Sequence, residues 1–97
     1  MSQSDKSLIE RSKKGDIEAF EKLIEDYQTK VFNIAFRMIG NYEDASDLAQ
    51  EVFLRVYKSL GGCKEQSSFS TWIYSITRNV CLDEIRKRKN RNVIYLD

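Results

Sequence analysis

Residues 41–60 read NYEDASDLAQEVFLRVYKSL, and this stretch decides the fold. Ala45, Leu48, Ala49, Val52, Phe53, Val56, Tyr57 and Leu60 recur three or four apart, the spacing that gathers apolar side chains on one face of an α-helix. Asn41 offers a side-chain acceptor to the first free amides, and Glu43 and Asp44 fall in the first turn, where the helix dipole favours negative charge. Upstream, Gly40 closes a second apolar period formed by Ile17, Phe20, Ile24, Tyr27, Val31, Ile34, Ala35 and Met38. That period predicts one long helix capped by Asp16 and ending at Ile39. Such a helix would span roughly 36 Å at about 1.5 Å per residue.

A shorter polar helix is expected from Ser4 to Lys14, with Leu8 and Ile9 as its apolar side and Gly15 as its stop. Downstream, Gly61 to Ser67 reads as a loop. Ser68 then caps a helix over about Phe69 to Lys89, with the stripe Phe69, Trp72, Ile73, Ile76 and Val80. Leu82 and Ile85 drift off that stripe, so the basic end of this helix is expected to leave the core. There is no proline, and the four glycines stand only where an apolar period stops. At 97 residues there is room for one core. The prediction is a single all-α domain, a small bundle of three to four helices.

With 41% hydrophobic and 32% charged residues, the chain has the balance of a folded water-soluble domain rather than a disordered one. Apolar runs are too short to insert in a membrane and the polar start Met1 to Asp5 is no secretory signal, so a cytoplasmic location is expected. Cys63 and Cys81 read as ordinary thiols. No histidine, glycine-rich phosphate loop or metal-spaced ligand cluster occurs, so neither enzyme activity nor a metal or cofactor is expected.

The net charge of +1 conceals a division along the chain. Between Asp16 and Leu54, nine acidic residues face three basic ones; between Arg78 and Arg91, six basic residues face two acidic ones. The second segment suits a polyanion and the first does not. On the helix after Asn41, about 100° per residue puts Asp47, Gln50, Glu51, Leu54 and Lys58 opposite the apolar stripe. Leu54 reads there either as an isolated exposed leucine or as an apolar anchor in an acidic rim, the layout of a docking site for a basic helix. On the last helix, Trp72, Ser75, Asn79, Asp83 and Arg86 share a side next to the basic run Arg86, Lys87, Arg88, Lys89 and Arg91. Trp72 reads as core or as a stacking platform, and Asp83 with Arg86 or Lys87 as a surface ion pair or part of a nucleic-acid face.

The segments 41–57 (NYEDASDLAQEVFLRVY), 68–79 (SFSTWIYSITRN) and 83–89 (DEIRKRK) together resemble region two of the extracytoplasmic-function sigma factors. Residues 14–20 (KGDIEAF) and 36–40 (FRMIG) are similar to its opening segment and the end of its second helix. The resemblance implies residues 1–92 as the region two domain and 93–97 as the start of an interdomain linker. It implies docking to the beta-prime clamp helices of the RNA polymerase core through Asp47, Gln50, Glu51, Leu54 and Arg55. Recognition and melting of the non-template strand of the minus-ten promoter element would fall to Lys64, Glu65, Gln66, Ser67, Ser68, Trp72, Ser75, Arg78, Asn79, Arg86, Lys87 and Lys89. An anti-sigma factor is implied as a further partner, and a helical module serving only such a protein partner is the alternative reading. Residues 61–67 (GGCKEQS) depart from the family in lacking an aromatic and an arginine near the start of the base-capturing loop. Family members also continue into a helix-turn-helix domain that reads the minus-thirty-five element, so the chain reads as part of a longer protein.

Overall fold

The computed structural model describes residues 3–62 and 68–96, with side chains described over 6–62 and 68–90. Among the described residues five α-helices follow one another: α1 (Gln3–Lys13), α2 (Ile17–Glu25), α3 (Gln28–Ile39), α4 (Tyr42–Ser59) and α5 (Phe69–Leu96), with a short 3-10 turn at Leu60–Gly62 after α4. The bundle is all-α, as expected, with one helix more than expected.

The extra helix comes from a break in the period that ran from Asp16 to Ile39. At Asp26 and Tyr27 the ladder tightens: the Tyr27 amide donates to Ile24 O at 2.9 Å, and four-residue bonding resumes with Val31 N–H to Tyr27 O at 2.9 Å. Neither glycine nor proline marks the break. Its compensation is tertiary. Tyr27 is buried edge-on against Phe69, with ring centroids 5.2 Å apart, and lies 6.2 Å from the ring of Tyr74. Aromatic burial of this kind outweighs one regular turn.

Val31, Val52, Val56, Phe69 and Ile73 are fully or almost fully buried at the centre of the main cluster, with α2 adding Phe20, Leu23 and Ile24. A second cluster is built on Ala35, Ala45 and Cys81, each at 0% exposure. Three small side chains at one point let α3, α4 and α5 approach closely, as dense packing requires. Thr77 is also fully buried, its hydroxyl donating to Ile73 O at 2.8 Å, so a polar residue sits in the core at no cost in unsatisfied groups. The expected drift after Val80 is corrected in part. Cys81 remains in the core, while Leu82 and Ile85 are half-buried. The helix itself continues past Lys89 to Leu96, through residues expected to begin a linker.

The expected caps are present. Asn41 Oδ1 accepts the Asp44 amide at 3.0 Å, and Ser68 Oγ accepts the Thr71 amide at 3.1 Å. Asp16 accepts the Ala19 amide at 3.1 Å and pairs with Arg11 at 3.0 Å. The backbone bond from Ala19, followed by the bond from Arg11, holds the Asp16 carboxyl below its ordinary pKa. A carboxylate with a depressed pKa contributes stability that is complete above the unfolded value and is lost as pH falls through the folded one. Asp16→Ser keeps a capping oxygen without the titration, so its thermal midpoint should fall less steeply than the parent's below about pH 4.

Gly40 has φ +81° and its amide donates to Phe36 O at 2.7 Å, closing α3 with a left-handed residue. A Cβ there would meet open space, so only backbone strain opposes a side chain. Gly40→Ala should lower unfolding stability in urea by about 1 kcal/mol, whereas Gly61→Ala should stay within about 0.5 kcal/mol of the parent.

Candidate docking and nucleic-acid faces

Because α4 buries Ala45, Ala49, Val52 and Val56, its opposite side is forced into solvent. Asp47, Gln50, Glu51, Leu54 and Arg55 are all exposed there, so all five expected docking residues come together. Leu54 is 49% exposed, too open to serve the core. Arg55 Nε reaches back one turn to Glu51 Oε2 at 3.2 Å, leaving Asp47 and Glu51 as an acidic border around the leucine. This is an apolar anchor in a polar rim, the anatomy of a protein-binding patch.

On α5 the buried residues Phe69, Ile73, Thr77 and Val80 turn a different strip outward. At about 100° per residue, Ser75, Arg78, Asn79, Arg86 and Lys89 fall on that strip, and all five are exposed. Trp72 borders it. The indole is half-buried, its ring centroid 5.8 Å from that of Phe69 and tilted 46°, so one part serves the core and another meets solvent. Lys87 is exposed but lies off the strip. Ser68 is exposed, with its hydroxyl occupied in the helix cap and 2.8 Å from Thr71 Oγ1. Lys64, Glu65, Gln66 and Ser67, like Cys63, lie outside the described residues.

The basic run divides once its partners are known. Arg86 Nη1 lies 3.3 Å from Asp83 Oδ1, a highly exposed pair that costs little to release. Arg88 is different. Its Nε meets Glu84 Oε2 at 3.0 Å and its Nη2 meets Asp44 Oδ2 at 2.8 Å, across to the first turn of α4. Bonds from Glu84 and then Asp44 raise the guanidinium pKa, so Arg88 is an internal tie rather than a free cation beside Arg86 and Lys89. The Glu84–Arg88 spacing was visible in the sequence as an i,i+4 pair; the contact with Asp44, 44 positions away, was not. A second feature that periodicity missed is an aromatic corner where α3 meets α4. Phe32 stacks with Phe36 at 6.0 Å and meets Tyr42 edge-on at 5.1 Å, while Tyr42 is 70% exposed.

Among the described residues no group of three or more potential ligands could hold a metal ion, and no helix is long and apolar enough to cross a membrane. Cys81 is a free, buried thiol whose pKa is pushed up by loss of solvent.

Residues 23–91 match the family Sigma-70 region 2. The ECF RNA polymerase sigma factor SigW of Bacillus subtilis is 40% identical over 84 residues, covering 87% of this chain and 45% of that protein. The RNA polymerase sigma-H factor of Pseudomonas aeruginosa is 35% identical over 89 residues, covering 92% of this chain and 46% of its own length. The chain thus spans less than half the length of both relatives. Among solved structures, an engineered region 2 of sigmaE, determined by NMR in complex with GTAAAA, superposes with a TM-score of 0.83 at 34% identity. It covers 94% of this chain and 97% of that one.

The burial pattern separates surface from scaffold on α4. Leu54→Asp should change unfolding stability by less than about 1 kcal/mol, whereas Val56→Asp, which buries an unpaired carboxylate, should cost several kcal/mol or abolish folding. Urea denaturation followed by circular dichroism checks both.

Proposed function

The chain belongs to the Sigma-70 region 2 family as a domain of the extracytoplasmic-function type, and from that premise we propose that it directs RNA polymerase to promoters by docking and strand opening on separate faces. In this reading residues 1–92 are the region 2 domain, acting in the cytoplasm beside the polymerase core. The α4 face of Asp47, Gln50, Glu51, Leu54 and Arg55 seats the beta-prime clamp helices. Leu54 supplies desolvated apolar contact, and the acidic border selects a basic partner surface. The observation that carries the opening half is the exposed α5 strip, in which cations, a hydroxyl and an amide alternate beside a half-exposed indole. The neighbouring engineered region 2 bound to GTAAAA supports the same assignment by likeness.

Strand opening by such a surface is not enzymatic and consumes no nucleotide; binding alone drives it. Extruding a base costs a few kcal/mol, and one aromatic stacking contact returns about 1–3 kcal/mol. Arg78, Arg86 and Lys89 add phosphate contacts, whose counterion release makes the reaction sensitive to salt. Asn79 projects an amide able to donate to and accept from a base edge. Held against Phe69, Trp72 is a rigid platform that loses little entropy when a base meets it. Initiation needs both faces, each of which binds its own ligand. An anti-sigma factor would act by covering the exposed Leu54 face, the α5 strip, or both.

With polymerase core present, the chain should bind single-stranded non-template DNA of the minus-ten element with affinity that falls steeply as salt rises. Salt-insensitive or absent binding overturns the reading and leaves the protein-only interaction module. Asn79→Ala should weaken strand capture by about 1–3 kcal/mol while sparing polymerase docking, and Leu54→Asp should do the reverse. Loss of both activities in both variants contradicts separate faces.

A further inference from the structure

The last fully buried residue described on α5 is Cys81, yet the helix continues for another fifteen residues to Leu96. Leu82 to Ile85 are half-buried, and at about 1.5 Å per residue the described side chains from Cys81 to Asn90 extend over roughly 14 Å of that end. Arg86 and Lys89 stand on it, beyond the point where the core fixes the helix axis. Past Ile85, the side chain of Arg88 ties this end to another helix, through its bond to Asp44 at 2.8 Å.

Asp44 is an informative partner. In a capping box the acidic residue at the third position of a helix folds back onto the N-cap amide. Here the Asp44 backbone amide takes the Asn41 cap, and its carboxylate points away to Arg88. The guanidinium bridges two carboxylates, Glu84 one turn back on its own helix and Asp44 on the other, using two nitrogens of a rigid fork. Side-chain exposures of 38% for Arg88, 41% for Asp44 and 23% for Glu84 place the clasp at a partly screened surface, where it contributes little to fold stability.

We infer that Arg88 is a positioning residue for DNA binding, a clasp that fixes the basic end of α5 against the first turn of the docking helix α4. The inference rests on the reading of the α5 strip as a DNA-binding face. Its consequence is counterintuitive for a cation in a basic run. Arg88 aids DNA binding by contacting an acid of its own protein, and removing that acid, Asp44, weakens binding to a polyanion. Simple electrostatics predicts the opposite sign, because Asp44→Asn removes a negative charge near the DNA.

The test titrates a labelled, randomised single-stranded DNA pool with the chain and with Arg88→Gln, Arg88→Lys and Asp44→Asn, reading fluorescence anisotropy across a series of salt concentrations. Asp44→Asn and Arg88→Gln should each weaken binding about threefold to tenfold, leave the slope of log affinity against log salt unchanged, and add nothing to each other when combined. Arg88→Lys keeps the charge without the fork, so it should behave like Arg88→Gln. Circular dichroism showing parental helicity in each variant separates the effect from unfolding, and Asp44→Asn, which leaves every cation in place, decides the outcome if an Arg88 variant fails to fold. Tighter binding by Asp44→Asn with a slope steeper by about one, or retention of affinity by Arg88→Lys alone, shows Arg88 to be a phosphate contact and overturns the proposal. Unchanged binding in all variants overturns it as well. Absence of salt-dependent binding by the parent chain instead sinks the reading of the strip, and the clasp's role with it.

Discussion

One core must be shared by five helices, and the stripe of Ala45, Ala49, Val52 and Val56 on α4 is the constraint on which the remaining surface depends. Once those residues meet α3 and α5, no choice remains about which side of α4 faces water: Asp47, Gln50, Glu51 and Leu54 must be outside. The same logic on α5, where Phe69, Ile73, Thr77 and Val80 turn inward, exposes Ser75, Arg78, Asn79 and Arg86. Because the two buried stripes converge on one core, the outward faces of α4 and α5 are held as different surfaces of one rigid body. Separation of the two exposed faces is therefore a by-product of packing.

Close approach at Ala35, Ala45 and Cys81 has a second consequence. The first turn of α4 comes near enough to α5 for Asp44 to reach Arg88. An acidic first turn, favourable to the helix dipole on its own account, thus also serves as an anchor for a neighbouring helix. The two surfaces are distinct in composition, yet a side-chain bond joins the helices that carry them.

Much of this was legible in the sequence because the signals were local. The Asn41, Asp16 and Ser68 caps, the stop at Gly40 and the α4 stripe each depend on residues within a turn of one another. The exposed position of Leu54 followed from the same periodicity. What escaped depended on partners distant in the chain. The turn at Asp26 and Tyr27 is set by Phe69 and Tyr74 on α5, and a tightened turn preserves the apolar spacing well enough to hide itself. Arg88 looked like one cation of a run until Asp44 was placed beside it. Thr77 has no place in the apolar stripe read from the sequence, yet it is buried with its hydroxyl bonded within its own helix. The family resemblance carried the assignment of roles, which packing alone does not give.

The central claim is that one small bundle presents two independent binding faces, and amide chemical-shift mapping on the isotope-labelled chain tests it most directly. Titration with a randomised single-stranded DNA pool should perturb α5 amides around Ser75, Arg78, Asn79 and Arg86, while titration with an isolated clamp-helix fragment of polymerase should perturb α4 amides around Asp47, Gln50, Glu51 and Leu54. Both ligands should bind together. Perturbation of the same helix by both ligands, or displacement of one by the other, would contradict the account.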